Sequence, residues 1–455
     1  MKKTIINCLM LGVVVLAACN KKLDIKPFQS IDQETALSSE KDVVVTLVGA
    51  YDGLQSTAAL GGDIMLMNEL IGNNDDIRFT GTFAGLSDAW RLEMVADNTF
   101  ALGIWTQAYN TINRCNNVLS GLDKVTSSTA TRNRIEGEAL FIRSTLYFEL
   151  VRLFGKTWGD GNNATNPGVP LVLTKTTGIT DADYRPRNSV QEVYQQVITD
   201  LTRAESLLPN TNTIFAAKNA AAAVLSRVYL QQGDYANARD AANRIIASGR
   251  NPLAATFPGL WFTFMTNAGN SPAEYIFSMR VTTQDGTNGL NTYFGTNAGA
   301  GTAGRSDCKI NNSHLAKYET GDARRYFITL SGANYTRKHL DRFGNVPYVR
   351  TAEMLLTRAE ANFRLGTSTG ATPLADVNTV RARAGLAPLT SVTLDDILKE
   401  RYLETAFEGN RLHDVKRLRG TIGTAANAWN NPKLILPIPL REMDVNKNLV
   451  QNQGY

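Results

Sequence analysis

Two polar, aromatic stretches of this 455-residue chain carry the groups that could do chemistry. The first runs from Asn73 to Trp90 and holds Asp75, Asp76, Arg78, Phe83 and Trp90. The second runs from Asp285 to Arg305 and holds Asn288, Asn291, Tyr293, Phe294 and Asn297. Flat rings beside amides, carboxylates and a guanidinium suit a ligand with both apolar faces and hydrogen-bonding edges, as a sugar has. A peptide ligand would instead need backbone partners and apolar pockets. Each residue also has a plainer reading. Trp90 could cap a core helix, Tyr293 and Phe294 could be exposed without purpose in a glycine-rich loop, and Asp75 and Asp76 could be turn or calcium residues. A different chemistry is glycosidic hydrolysis by two carboxylates drawn from Asp75, Asp76 and Asp285, which would have to face each other at about 5–9.5 Å. The spacing pairs none of them, so no catalytic residue is assigned. Three histidines make no metal cluster, no cofactor is implied, and His413 reads as structural. Trp158 and Tyr184 are weaker ligand candidates, while Trp261, amid Phe257, Phe262 and Phe264, reads as core. Glu408, Arg411 and Asp414, three residues apart, read as an ion-paired corner of the fold.

The start of the chain bears on location. Met1-Lys2-Lys3 is a short basic start, and Thr4 to Ala18 is an apolar run too brief for a stable membrane span. It ends in Leu16-Ala17-Ala18-Cys19, the lipobox pattern of a bacterial lipoprotein. On this reading residues 1–18 are a removed signal peptide, and Cys19 is acylated and becomes the mature N-terminus. An ordinary secretory signal containing a cysteine is the alternative. Several acyl chains anchor stably where one would not, each buried methylene contributing about 0.8 kcal/mol. Losing Lys2 and Lys3 takes the formal charge from +5 to +3. With no dense basic block, nucleic acid is not an expected partner. Cys115 lies in a helical stripe and Cys308 in a polar loop; no disulfide framework is indicated, and one bridge between them stays open.

The elements that must position these groups are helical. Ala216 to Gly249 reads as two helices broken at Gly233-Asp234. Leu225, Val228 and Tyr229 form one apolar stripe, and Ala238, Ala241, Ala242 and Ile245 form the next. Tyr229, Gly233, Tyr235 and Ala238 keep the spacing of a tetratricopeptide hairpin, whose apolar face needs stacked neighbours. Further helices are predicted from a capping box at Ser39–Asp42 to Leu54, over Ala96–Leu122 and Ala130–Phe154, and from a capping box at Ser189–Glu192 to Leu208. Others are predicted over Val349–Leu365, Leu374–Arg383, Leu394–Phe407 and Asn410–Leu418. Strand-like pieces fall at Tyr275–Val281 and Arg325–Leu330, and Leu434 to Pro439 should lie extended. The fold class is therefore mainly α, tetratricopeptide-like helix hairpins with irregular, loop-rich insertions and a few short strands. Residues 19–30 read as a tether and 31–455 as a single domain, with insertions at about 72–96, 155–188 and 251–341. Loops this long inside a compact domain usually carry the function.

Several blocks resemble the SusD/RagB family of nutrient-capturing outer-membrane lipoproteins. Glu138-Ala-Leu-Phe-Ile-Arg143 with Tyr147 and Leu153-Phe154-Gly155 is similar to its first paired-helix block. Arg350, Glu353, Leu355 and Ala359-Glu360-Ala361, then Asn378, Arg381 and Arg383-Ala384-Gly385, resemble two later helices. Glu400 to Gly409 followed by Asn410, Arg411, Asp414, Lys416 and Arg417 is the most specific block, and Pro437-Ile-Pro439 and Gln451 to Tyr455 resemble the closing pattern. Leu412-His413 and Gln453 depart from it, at what read as packing positions. The resemblance implies a non-enzymatic lid over a TonB-dependent, SusC-like transport barrel, anchored in the outer membrane through Cys19 and facing the exterior. It implies a ligand, oligosaccharide or peptide, held on the irregular side, with the helix hairpins docking to the barrel. It also puts the 73–90 loop and the 285–305 segment at the ligand site, which makes Asp75, Asp76, Arg78, Phe83, Trp90, Asn291, Tyr293 and Phe294 the expected binding residues. A surface glycoside hydrolase and a plain helical scaffold for protein partners are the alternatives.

Overall fold

A computed structural model of the protein describes residues 37–178, 180–261, 271–298, 303–423 and 427–455. The expected signal peptide, Cys19 and the 19–30 tether lie outside the described residues, as do Phe262 and Phe264.

Helix α1 (Glu40–Gln55) opens on the capping box read from the sequence, the Ser39 hydroxyl accepting the Asp42 N–H and the Asp42 carboxylate accepting the Ser39 N–H at 2.9 Å. Next come α2 (Asp63–Gly72), in a stretch to which the sequence pattern assigns no element, and β1 (Ile77–Phe79) and α3 (Ala84–Arg91), inside the expected 72–96 insertion. The long helices α4 (Thr99–Ser120) and α5 (Thr129–Phe154) follow. α4 begins at Thr99 rather than Ala96 because the Asn98 side chain accepts the N–H groups of Phe100 and Ala101. Then come α6 (Val190–Leu207), under its Ser189–Glu192 capping box, and the hairpin of α7 (Lys218–Gln232) and α8 (Tyr235–Ala247). Gly233 turns between them with φ of +74°, where a Cβ would be strained, and Asp234 caps α8 through the Asn237 N–H. Ala220 to Ala223, Ala238, Ala241 and Ala242 are buried. The backbones come close enough for the Ser226 hydroxyl to donate to the Ala238 carbonyl at 3.0 Å.

The remaining elements are β2 (Tyr275–Met279), α9 (Gly289–Phe294), β3 (Cys308–Ile310), α10 (Asn312–Leu315), β4 (Phe327–Leu330), β5 (Ala333–Thr336) and β6 (Val346–Arg350). After them come α11 (Thr351–Leu365), α12 (Pro373–Arg383), α13 (Leu394–Glu404), α14 (Arg411–Arg417), β7 (Thr421–Ile422), β8 (Asn427–Ala428) and α15 (Leu440–Val445). Helices pack in series, α1 on α4, α4 on α5, α5 on α6, α6 on α7, α7 on α8, α8 on α11, and α11 on α12 and α13. The architecture is mainly helical with few short strands, the stack expected from the hairpin pattern. Val349 and Arg350 belong to a strand rather than a helix because β6 pairs antiparallel with β2, matching Val349 to Phe277 and Arg350 to Tyr275. α13 stops at Glu404, and Phe407 and Gly409 then take φ of +65° and +79°. No helix among the described residues is long and apolar enough to cross a membrane.

The sheet of order β1-β3-β5-β4 joins the 72–96 and 251–341 insertions, with Ile77 opposite Ile310 and Phe79 opposite Cys308. Cys308 is therefore a buried strand residue, not a loop residue, and both it and Cys115 are free thiols. The corner around Gly409 is ion-paired, but not among the three residues expected. Glu408 takes Arg350 and Lys338, Asp414 takes Arg401 and Arg417, and the Arg411 guanidinium lies over the Tyr402 ring at 4.4 Å. His413 is buried as expected of a structural residue, and Leu412 is too, whereas Gln453 is exposed and not a packing position. α2 and α14 touch through Gly72, where a Cβ would meet the Leu412 Cα at 2.7 Å. Gly72→Ala should therefore lower stability by about 1–3 kcal/mol, read as a lower urea midpoint with an unchanged slope.

Candidate ligand-binding groove

β1 and α3 turn the first polar stretch into a rigid corner. Trp90, in the last turn of α3, is half-buried, and its indole N–H donates to the Ile77 carbonyl at 2.7 Å. That bond uses the ring's polar edge and pins the plane against β1. The ring borders an open cavity of about 390 Å³ lined also by Asn74, Arg91, Asn427, Asn431 and Lys433. The Asn74 amide donates to the Trp90 carbonyl at 3.3 Å, and its Oδ1 has no hydrogen-bond partner among the described residues. Asn431 donates to the Asn427 side chain at 3.0 Å. The Lys433 ammonium donates to the Gly454 carbonyl at 2.6 Å and sits 3.9 Å from the centre of the Tyr455 ring. A pinned indole beside three planar amides and two cations can stack on a sugar face while bonding its hydroxyls.

About 10 Å away along α3, taking 1.5 Å per residue from Phe83 to Trp90, the two predicted stretches meet. Phe83, 40% exposed, packs edge-on against Tyr293 with ring centres 6.0 Å apart. Arg305 lies over the Phe83 ring at 4.7 Å and is held there by Asp307 at 2.8 Å and the Thr82 hydroxyl at 2.9 Å. Tyr293 is itself buried, its hydroxyl pushed up to about 12 mainly by burial, so Phe83 and Arg305 form the outer surface of this corner.

Other expected residues lie elsewhere. Asp76 is an interior residue, not a surface hydrogen-bonding group. Its carboxylate takes the Lys317 ammonium at 2.6 Å, His314 at 3.2 Å and the Tyr402 hydroxyl. Burial works to raise it, but the bonds from His314 and Lys317 hold it below the usual carboxylate range. Asn291 and Phe294 are likewise interior. The Asn291 amide donates to the carbonyls of His339 and Leu340, and Phe294 packs on His339 and Phe407. The reason is α9, a short helix that the glycine-rich sequence hides and that Asn288 caps by accepting the Asn291 N–H at 2.7 Å. Asp75 is half-buried, with its carbonyl taking the Asn311 amide, and Arg78 is exposed on β1 opposite Lys309. Asp285 closes a turn on Thr282 and accepts from Gln55, so its partners are separate from those of Asp76. Trp158 stacks on Tyr194, and Trp261 is core beside Phe257 and Tyr275 as expected.

Asp63, the first residue of α2, is buried beneath this region with no partner for Oδ1 among the described residues, and burial raises its carboxyl to about 7. A folded pKa above the unfolded 3.8 contributes stability present at low pH and lost as pH rises from about 4 through 7. Asp63→Asn should remove that slope. Urea unfolding should show the variant gaining on the parent by on the order of 1–3 kcal/mol between pH 5 and pH 8.

Sequence reasoning missed Asn74, Asn427, Asn431 and Lys433 in the Trp90 groove, and Trp429 beside it. A signal was present: Gly420 to Asn431 is another aperiodic, Asn-bearing stretch with a tryptophan.

Residues 22–230 match the model of a SusD-like family described as starch-binding and associating with the outer membrane, and residues 283–435 match the model of the SusD family itself. The chain belongs to the SusD/RagB family. Members similar to it include SusD-like protein P2 of Formosa agariphila, 25% identical over the whole of both chains. The starch-binding protein SusD of Bacteroides thetaiotaomicron is 34% identical over 24% of this chain and 22% of its own. Among solved members, a SusD superfamily protein of Bacteroides thetaiotaomicron has the same fold, with a TM-score of 0.79 at 24% identity over 91% of this chain and 99% of that one. The surface glycan-binding protein A of Bacteroides uniformis aligns with a TM-score of 0.74 at 23% identity, over 91% and 99%.

Proposed function

We propose that this SusD-family protein is a surface-exposed outer-membrane lipoprotein that binds an oligosaccharide in the Trp90 groove. It acts as the lid of a TonB-dependent, SusC-like barrel through which that nutrient is imported. The observation that carries the reading is Trp90 itself, a half-buried indole whose N–H is tied to Ile77 and whose ring borders a cavity lined with amides. Phe83 and Arg305 extend the surface along α3. The outer-membrane and starch-binding description of the matched family supports the location and the ligand class, and the lipobox at Cys19 supports the anchor. The groove offers amides and cations rather than facing carboxylates, which favours holding a glycan over hydrolysing it.

Affinity capture of the full-length protein from native outer membranes is expected to bring down a large barrel, and Cys19→Ala to abolish incorporation of labelled palmitate. Repeated capture without a barrel would remove the lid role. A glycan panel screened by calorimetry is expected to include at least one ligand, with no turnover on prolonged incubation.

A further inference from the structure

A second cavity, of about 660 Å³, borders Asn431 on its own side, walled by the 156–167 turn, Trp429 and the C-terminal residues 451–453. Its wall includes Lys416 of α14, a lysine only 3% exposed. The Lys416 ammonium donates to the carbonyls of Arg152 at 3.1 Å and Leu434 at 3.4 Å. A third N–H remains without an acceptor, and no carboxylate lies within ion-pairing distance among the described residues. Buried lysines are rarely left without a counter-ion, because removing the charge from water is costly unless it is paired. Lys338, the other deeply buried lysine among the described residues, has Glu408 at 2.6 Å. Lys156 stands half-buried at the edge of the same cavity and Asp160 is the acidic side chain in its wall, so Lys416, when charged, has no carboxylate of its own there. Burial and then Arg152 pull Lys416 down to about 7, with Asp160 opposing them. The half-buried Trp429 ring borders the cavity too, with the Arg419 guanidinium 5.1 Å from its centre.

We propose that this cavity binds an acidic oligosaccharide, with one singly charged group, a carboxylate or a sulfate ester, set against Lys416 and a sugar ring set against Trp429. The proposal shares the glycan-binding reading of the protein but assigns a separate site and a charge class to the ligand.

The test is calorimetry of the full chain at pH 7.5 with oligogalacturonates and sulfated carrageenan oligosaccharides as probes, each in two buffers of different ionisation enthalpy. Maltoheptaose serves as the neutral comparison. At least one acidic probe is expected to bind with net proton uptake, as an anion draws Lys416 to its charged form, and the probe that binds identifies the acidic group. Lys416→Met and Trp429→Ala are each expected to weaken that binding at least tenfold and to abolish the proton uptake only in the first. Both should leave any maltoheptaose binding intact. Failure of both acidic probes, or affinity unchanged in both variants, overturns the proposal. If Lys416→Met does not fold, Lys156→Met and Trp429→Ala, at less buried positions, decide in the same way. Acidic binding that is lost in Lys416→Met but unchanged in Trp90→Ala, with no other member of the glycan panel bound, would upset the Trp90 reading alone.

Discussion

Arg350→Met is expected to unfold about 3–5 kcal/mol more readily than the parent, with a deficit that shrinks as the solution is acidified. Arg350 is almost fully buried at the end of β6, and its guanidinium donates to Glu274 at 2.6 Å, to Glu404 at 3.0 Å and twice to Glu408 at 2.8 Å. Arg383 pairs with Glu274 and Glu404, and Lys338 with Glu408, so three cations meet three carboxylates out of water. Methionine keeps much of the volume and removes one cation, leaving a buried negative charge in excess. Breaking a buried pair from one side costs more than the pair itself contributes, because the orphaned ion keeps its desolvation penalty. The pH dependence follows from the same charges. Burial works to raise the Glu404 and Glu408 carboxyls, but Arg383 and then Arg350 hold Glu404, and Arg350 and then Lys338 hold Glu408, below the ordinary value of 4.5. A depressed folded pKa contributes stability that is present above the unfolded value and lost as pH falls below it. In the variant that contribution is reduced at neutral pH, so parent and variant should converge as pH falls from 4.5 towards the depressed folded values. Urea unfolding followed by far-ultraviolet dichroism from pH 8 to pH 2.5 measures both the deficit and the convergence. A deficit that stays constant across that range would mean that lost packing, not charge, dominates.

Trp90→Ala should weaken oligosaccharide binding by roughly 1–3 kcal/mol, about 5- to 150-fold in affinity, if the indole is the platform on which a sugar face rests. Trp90→Phe separates two parts of that effect. A phenyl ring keeps a flat face but cannot donate to the Ile77 carbonyl, so the ring is no longer pinned to β1. Its affinity should fall between those of the parent and the alanine variant. Calorimetric titration reads the affinity, and thermal unfolding shows whether each variant is folded. An unchanged affinity in a folded Trp90→Ala protein would move the ligand away from this groove. The effect is expected to be local, since Asn427, Asn431 and Lys433 come from the 427–433 segment and are held by bonds that do not involve Trp90.

Much of the scaffold was legible before any coordinates because its information is local. Ser39, Ser189 and Gly233 sit where helix ends must satisfy or turn the backbone, and the alanines of α7 and α8 mark a close helix contact at a readable period. The site was legible only as two stretches. Phe83 and Tyr293 lie 210 positions apart, and what joins them is a pairing of three-residue strands, Ile77–Phe79 with Cys308–Ile310, too short to show an alternating pattern. The tertiary structure alone decided which polar residues look outward. Asp76 and Asn291 carry the same side chains as a surface site would, but Lys317 takes the Asp76 carboxylate and the carbonyls of His339 and Leu340 take the Asn291 N–H groups inside. Trp90, in a stretch of the same composition, keeps a face to solvent because the Ile77 carbonyl takes its N–H from below. Composition and period thus determined the helix stack and the kind of groups its insertions carry. Long-range pairing determined which of those groups are spent in the interior and which stay free to meet a ligand, because burial and hydrogen-bond satisfaction depend on neighbours far away in the chain.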